Sequence, residues 1–70
     1  MTRERMTPEL EAATAALYAA LREPETPEPL LRKLRDALVV LMDRIKPVNR
    51  PKQAPEALGV LELAGSVLGD

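Results

Sequence analysis

The chain has 70 residues, a formal net charge of −1, and neither cysteine nor histidine. Disulfides and thiolate metal sites are therefore excluded, and the commonest metal ligand and general base is missing. Tyr18 is the one aromatic residue, so a core must be built from Leu, Ala, Val and Met. A domain this short buries only about 60% of its unfolded surface, which makes oligomerisation the expected additional source of stability.

The charge is unevenly distributed along the chain. Residues 1–30 hold three Arg and six Glu, residues 31–53 hold seven Lys or Arg and two Asp, and residues 54–70 hold three acidic residues and no basic one. Two interpretations are open: acidic elements that flank a basic central helix, or a basic face that binds nucleic acid or an acidic partner. The candidate anion-binding residues are Arg32, Lys33, Arg35, Arg44, Lys46, Arg50 and Lys52.

Three proline-led segments predict helix starts, at residues 7–9, 26–28 and 54–56. In the first two, threonine can cap a free backbone N–H, and proline occupies a first-turn position whose N–H would be unpaired anyway. The glutamate that follows faces the positive end of the helix dipole. The third start is weaker because Ala54 has no side-chain acceptor. Residues 1–6, before the first start, are expected to form an extended arm or a frayed turn.

The first helix is predicted over residues 8–22. Its apolar stripe consists of Leu10, Ala13, Leu17 and Leu21, and its many alanines favour a helix and let another helix approach closely. Pro24 ends it, because a residue before proline avoids the helical region. The short turn that follows predicts an antiparallel helical hairpin.

The second helix is predicted over residues 27–46 and is the central element. Its stripe is Leu31, Leu34, Leu38, Leu41 and Ile45. Val39 and Val40 point away from that stripe, where a surface helix should be polar. Either the last helix of the same chain or a second subunit could cover them, and we favour the second subunit because the first helix also needs cover.

Residues 47–54 hold two prolines and two positive charges, and we expect a stiff, extended linker there. A last helix is predicted over residues 55–68, apolar on most sides, with Gly69 as its C-terminal cap. A strand over residues 60–63 is the alternative, although no partner strand is in view. The fold class is therefore all-α: an antiparallel hairpin plus a C-terminal helix in a single domain, assembling into an oligomeric helical bundle.

No constellation of catalytic residues rises above chance, so we expect no enzyme and no cofactor. No apolar run reaches the roughly 18 residues of a membrane span, and the N-terminus lacks the apolar core of a signal peptide. We therefore expect a cytoplasmic protein that is not associated with membranes.

What remains is a non-enzymatic protein–protein interaction module that self-associates, at least as a homodimer. The residues expected at the subunit interface are Leu17, Leu34, Leu38, Val39, Val40, Leu41, Ile45 and Leu61. Two alternatives stay open: a nucleic-acid-associated regulator that uses the basic residues between 32 and 52, and a small subunit whose partner is another protein.

Overall fold

A computed structural model describes residues 7–69 and shows three long helices. These are α1 (Pro8–Arg22), α2 (Glu28–Met42) and α4 (Pro55–Leu68). A 3₁₀ turn (Pro47–Asn49) and the one-turn helix α3 (Arg50–Gln53) connect the last two. The described residues form no strand, so the all-α fold class is confirmed and the strand alternative for residues 60–63 is wrong. The arm predicted at residues 1–6 lies outside the described residues.

The three long helices run up, down and up. Leu10 near the start of α1 lies beside Leu41 near the end of α2. At the opposite end of the bundle, Leu21 of α1 lies beside Leu31 of α2 and Leu68 of α4. Helices α1 and α2 therefore form the predicted antiparallel hairpin, and α4 runs parallel to α1 while contacting both. The bundle measures 42 by 20 by 15 Å.

Helix α1 begins and ends as the sequence predicts. The Thr7 hydroxyl accepts a hydrogen bond from the Leu10 N–H at 3.1 Å, which satisfies one of the donors that the first turn leaves unpaired. The residue after the helix, Glu23, is extended because Pro24 follows it.

The second threonine behaves differently from the first. We expected Thr26 to cap α2, but the N-terminal capping residue is Pro27 and no side chain bonds to the first turn. The Thr26 hydroxyl instead donates to the Ala20 carbonyl at 2.8 Å. It thereby pairs a carbonyl in the last turn of α1 and closes the hairpin turn. The expectation was wrong because the tight connection brings Thr26 within reach of α1.

Helix α2 ends at Met42, four residues before the predicted end at Lys46. Its hydrogen bonds tighten over the next residues: the Arg44 N–H donates to the Leu41 carbonyl, and the Ile45 N–H to the Met42 carbonyl. Such three-residue bonds are typical of a helix that is ending. Lys46 is extended, as a residue before proline should be.

The connection over residues 47–54 is helical, and the prediction of an extended linker is wrong. Pro47 lies in the first turn of the 3₁₀ segment and Pro51 in the first turn of α3. Each proline occupies a position whose N–H has no intrahelical partner, so neither prevents a helix. Ala54, which follows, is fully buried, so the connection folds onto the bundle and begins α4 there.

The core combines long side chains from the hairpin with short ones from α4. Leu17 and Leu38 are fully enclosed, and Leu10, Leu31 and Met42 extend this layer. Helix α4 contributes four buried residues at helical spacing, namely Ala57, Val60, Ala64 and Leu68. Gly69 ends α4 in the left-handed region, at φ 78°, and its N–H donates to the Gly65 carbonyl. The prediction of a Gly69 cap is confirmed.

Candidate protein interaction surface

An open apolar groove of about 500 Å³ lies between α1 and α4. Its walls are Ala15 and Tyr18 of α1 and Val60 and Leu63 of α4, and Gly59 forms a gap in the α4 wall because no atom occupies the space where its side chain would lie. We call the groove and the outer surface of α1 beside it the α1–α4 face. The residues that it exposes are Ala12, Ala15, Ala16, Tyr18, Ala19, Gly59 and Leu63.

Apart from the hydroxyl of Tyr18, which is 44% exposed, the polar groups described at this face lie at its margins or are already paired. Thr14 lines the groove but is buried, and its hydroxyl donates to the Leu10 carbonyl at 2.8 Å. Glu11 and Glu56 stand together at the N-terminal end of the groove. At the other end, the Arg22 guanidinium lies 5.7 Å from the centre of the Tyr18 ring. A partner would therefore meet an apolar centre with an acidic group at one end and a basic group at the other.

The eight residues expected at the subunit interface fall into three groups. Leu17 and Leu38 are fully enclosed by their own chain, and so cannot reach a partner unless the bundle opens. Four are partly buried and pack on the core, namely Leu34, Leu41, Ile45 and Leu61. Only Val39 and Val40 are exposed.

Three large exposed residues lie close to the groove or its C-terminal margin without having been predicted there, namely Tyr18, Leu63 and Val67. The available signal was the surplus of apolar residues on α1 and α4. That surplus predicts that some apolar surface stays open, but periodicity cannot identify which side is open on a helix that is apolar nearly all round.

The candidate anion-binding residues are divided between several surfaces and contacts. Arg32 pairs with Glu28 at 2.8 Å, and Arg35 with Asp36 at 2.9 Å. Lys33 follows Arg32 directly, so it projects about 100° further around the helix. Arg44 approaches Glu9 of α1 to 4.0 Å. Lys46 and Lys52 are exposed on the connection after α2.

Arg50 is the exception among these cations, because its contacts are structural. Its guanidinium Nε donates to the Met42 carbonyl at 3.1 Å and to the Ile45 carbonyl at 3.0 Å. The Met42 carbonyl ends α2 and also accepts from the Ile45 N–H, and the Ile45 carbonyl lies in the turn that follows the helix. A second guanidinium nitrogen lies 3.7 Å from Asp43. Arg50 therefore ties the connection to the end of α2 rather than presenting a charge to a ligand.

We expect Arg50→Met to lower the free energy of unfolding by about 1–3 kcal/mol, because two part-buried carbonyls lose a charged donor. Urea titration followed by circular dichroism measures the loss. Lys52→Met is the matched control, since Lys52 is exposed two residues away and its loss should stay within about 0.5 kcal/mol. Equal losses in the two variants would contradict the capping role.

Because the basic residues do not converge, we expect no retardation of duplex DNA by the protein at about 50 mM salt in a gel-shift assay. The absence of a groove-lining cation and of any aromatic group besides Tyr18 also leaves little for single strands to stack on. A shift that weakened steeply with added salt would favour the nucleic-acid alternative instead.

Within residues 7–69, no group of three or more acidic residues is arranged to hold a metal ion. No helix in this range has both the length and the hydropathy needed to cross a bilayer. Comparison with known proteins identified no matching family model, no similar curated protein and no similar solved structure.

Proposed function

We propose that the protein is a non-enzymatic helical interaction module, located in the cytoplasm, that associates with a second copy of itself. The observation that carries the proposal is the α1–α4 face. Between Glu11 and Arg22, α1 has no charged residue, and its outer side is lined by exposed alanines. Exposed contiguous apolar surface of this kind typically marks a protein interaction site on a small domain.

The chemistry of the groove favours a protein partner over a small ligand. Small-molecule sites combine apolar walls with a few convergent polar groups that orient the ligand. Here Thr14 is occupied by its bond to Leu10, both glutamates stand at one end, and the other polar side chain of the lining, Tyr18, is 44% exposed. An apolar helix surface can bind along such a groove without unpairing the buried Thr14 hydroxyl.

A second copy is the simplest partner for this surface, because most soluble oligomers are symmetric and dimers are the commonest. Val39 and Val40, which the sequence analysis favoured, offer a second exposed apolar position on α2. Their surroundings are more polar: Lys33, Asp36, Asp43 and Arg44 are all exposed on the same helix or directly after it. We therefore assign the main contact to the α1–α4 face rather than to α2.

We expect light scattering to give a mass twice the chain mass of 7.7 kDa at micromolar concentration. Leu63→Arg should reduce it to that of one chain, since a charge on the α1–α4 face would lose its hydration in the dimer. Val40→Arg is the matched control, because Leu63 and Val40 are 44% and 56% exposed and each lies on a helix. Circular dichroism verifies that both variants remain folded.

The outcomes separate the possible interfaces. A dimer that dissociates in Val40→Arg but not in Leu63→Arg would move the contact to α2, as the sequence analysis favoured. A wild-type chain that stays monomeric and folded would refute self-association and favour the alternative in which the partner is a different protein.

A further inference from the structure

Two opposite charges mark the ends of the α1–α4 face on the same side of α1. Glu11 lines the groove with Tyr18, and Arg22 lies over the Tyr18 ring. Eleven residues separate Glu11 from Arg22, which is close to three full turns and about 16 Å along the helix. The two charges are therefore aligned on one side of α1 but too far apart to pair within one chain.

We infer that two copies associate antiparallel through the α1–α4 face, with Glu11 of each copy paired with Arg22 of the other. The inference rests on the self-association proposed above and specifies its geometry. A two-fold axis perpendicular to α1 brings the same side of α1 from both copies together, so the same ion pair forms twice. A parallel arrangement would instead set each Glu11 level with Glu11 of the other copy, and each Arg22 level with Arg22.

This pairing fixes a register that also matches large side chains to small ones. The axis lies level with the peptide bond between Ala16 and Leu17, midway between the two charges. Ala15 is then level with Tyr18 of the second copy, on the same side of the helix. The exposed side of α1 around the axis consists of Ala12, Ala15, Ala16 and Ala19, which lets two helices approach closely while each Tyr18 ring covers the opposing Ala15.

The remaining charges near this face fit the same arrangement. Glu56 stands beside Glu11 at the N-terminal end of the groove, so Arg22 of the second copy approaches two carboxylates rather than one. Glu62, the other acidic residue of α4, does not line the groove. The outer side of α2 lacks such separated charges, because a basic and an acidic residue both precede Val40 (Lys33, Asp36) and both follow it (Arg44, Asp43).

Charge reversal tests the pairing. Because Glu11 and Arg22 are too far apart to pair within one chain, reversing one charge can be compensated by reversing the other only if the two residues meet between chains. Glu11→Arg and Arg22→Glu each replace two attractive pairs with two repulsive ones. Each should raise the dimer dissociation constant roughly 10-fold in sedimentation equilibrium at low salt. The double variant Glu11→Arg/Arg22→Glu restores both pairs with exchanged signs, so its dissociation constant should fall below that of either single variant. It should stay above the wild-type value, because the glutamate at position 22 then also faces Glu56.

An equal mixture of the two single variants provides a second readout. Chains with Arg at both positions and chains with Glu at both should form a mixed dimer that is tighter than either variant alone. Circular dichroism verifies that each variant stays helical.

The possible failures are distinguishable. A wild-type dimer that single reversals leave unchanged, or that the double variant weakens further than either single reversal, overturns the antiparallel pairing while self-association stands. A wild-type chain that is monomeric at micromolar concentration overturns both proposals.

Discussion

Leu38→Asp should unfold the protein under native conditions. Leu38, in the C-terminal half of α2, is 0% exposed, and an unpaired carboxylate buried there costs several kcal/mol, in addition to the lost apolar burial. At about 0.05–0.15 kcal/mol per residue, the whole stability of a chain this long is only about 4–10 kcal/mol. We therefore expect loss of the cooperative melting transition and of most of the helical signal in circular dichroism.

Val40→Asp is the matched control for this variant. It makes a similar aliphatic-to-aspartate change two residues later, but Val40 is 56% exposed and its carboxylate would stay hydrated. Its effect on the free energy of unfolding should stay within about 0.5 kcal/mol. Both variants are compared at one protein concentration, since dimerisation adds concentration-dependent stability. An unchanged melting curve for Leu38→Asp would show that the α2 stripe is not the core.

The helices of the hairpin could be predicted because their signals are local. Thr7 and Pro24 delimit α1 through capping and steric exclusion, which need no information from the rest of the fold. On α2, Leu31 and Leu38 of the predicted stripe are buried, because their spacing places them on one side of the helix. Helix caps act within four residues, and an apolar stripe lies on one helix face, so both can be predicted from the local sequence.

The errors in the fold prediction arise where distant parts of the chain compete for a group. The Thr26 hydroxyl bonds to the Ala20 carbonyl of the preceding helix instead of capping α2. The same Thr-Pro-Glu motif at the start of α1 does provide a helix cap, through Thr7. The connection after α2 is helical rather than extended, because Arg50 reaches back to the carbonyls of Met42 and Ile45. Local propensity cannot predict either contact, since each depends on how the chain turns back on itself.

The sequence predicted exposed apolar surface at Val39 and Val40, which the structure exposes, but it did not indicate the α1–α4 face. An excess of apolar residues over what a 70-residue chain can cover predicts open apolar surface somewhere. Val39 and Val40 could be predicted as part of that surface, because they lie outside the clear apolar stripe of α2. Helix α4 has no clear apolar stripe, so the sequence could not predict that Leu63 remains at the surface. The outcome was decided by which side of α4 approaches the hairpin most closely.

That side carries the two fully buried alanines of the helix, Ala57 and Ala64. Short side chains allow the backbone of α4 to lie close to the core leucines of the hairpin, whereas a leucine at either position would hold the helix away. Burial of these alanines leaves Leu63 and Val67 turned outward. The packing of α4 and the exposure of the α1–α4 face therefore both follow from the side that α4 turns toward the hairpin.

We expect Ala57→Leu and Ala64→Leu each to lower the free energy of unfolding by about 1–3 kcal/mol, because added methylenes in a packed core force side chains off their rotamers or shift the backbone. The two positions are seven residues apart, about 10 Å along α4, so their effects should add to roughly 2–6 kcal/mol in the double variant. Urea titration at one protein concentration measures each loss.

Ala37→Leu separates packing from helix propensity, because Ala37 is exposed on α2 and leucine forms helices nearly as well as alanine. Its effect should stay within about 0.5 kcal/mol. If leucine at Ala57 and Ala64 were tolerated as well as at Ala37, α4 would not be held by close contact of its small residues. Leu63 could then turn inward, and the α1–α4 face would lose the physical reason for its exposure.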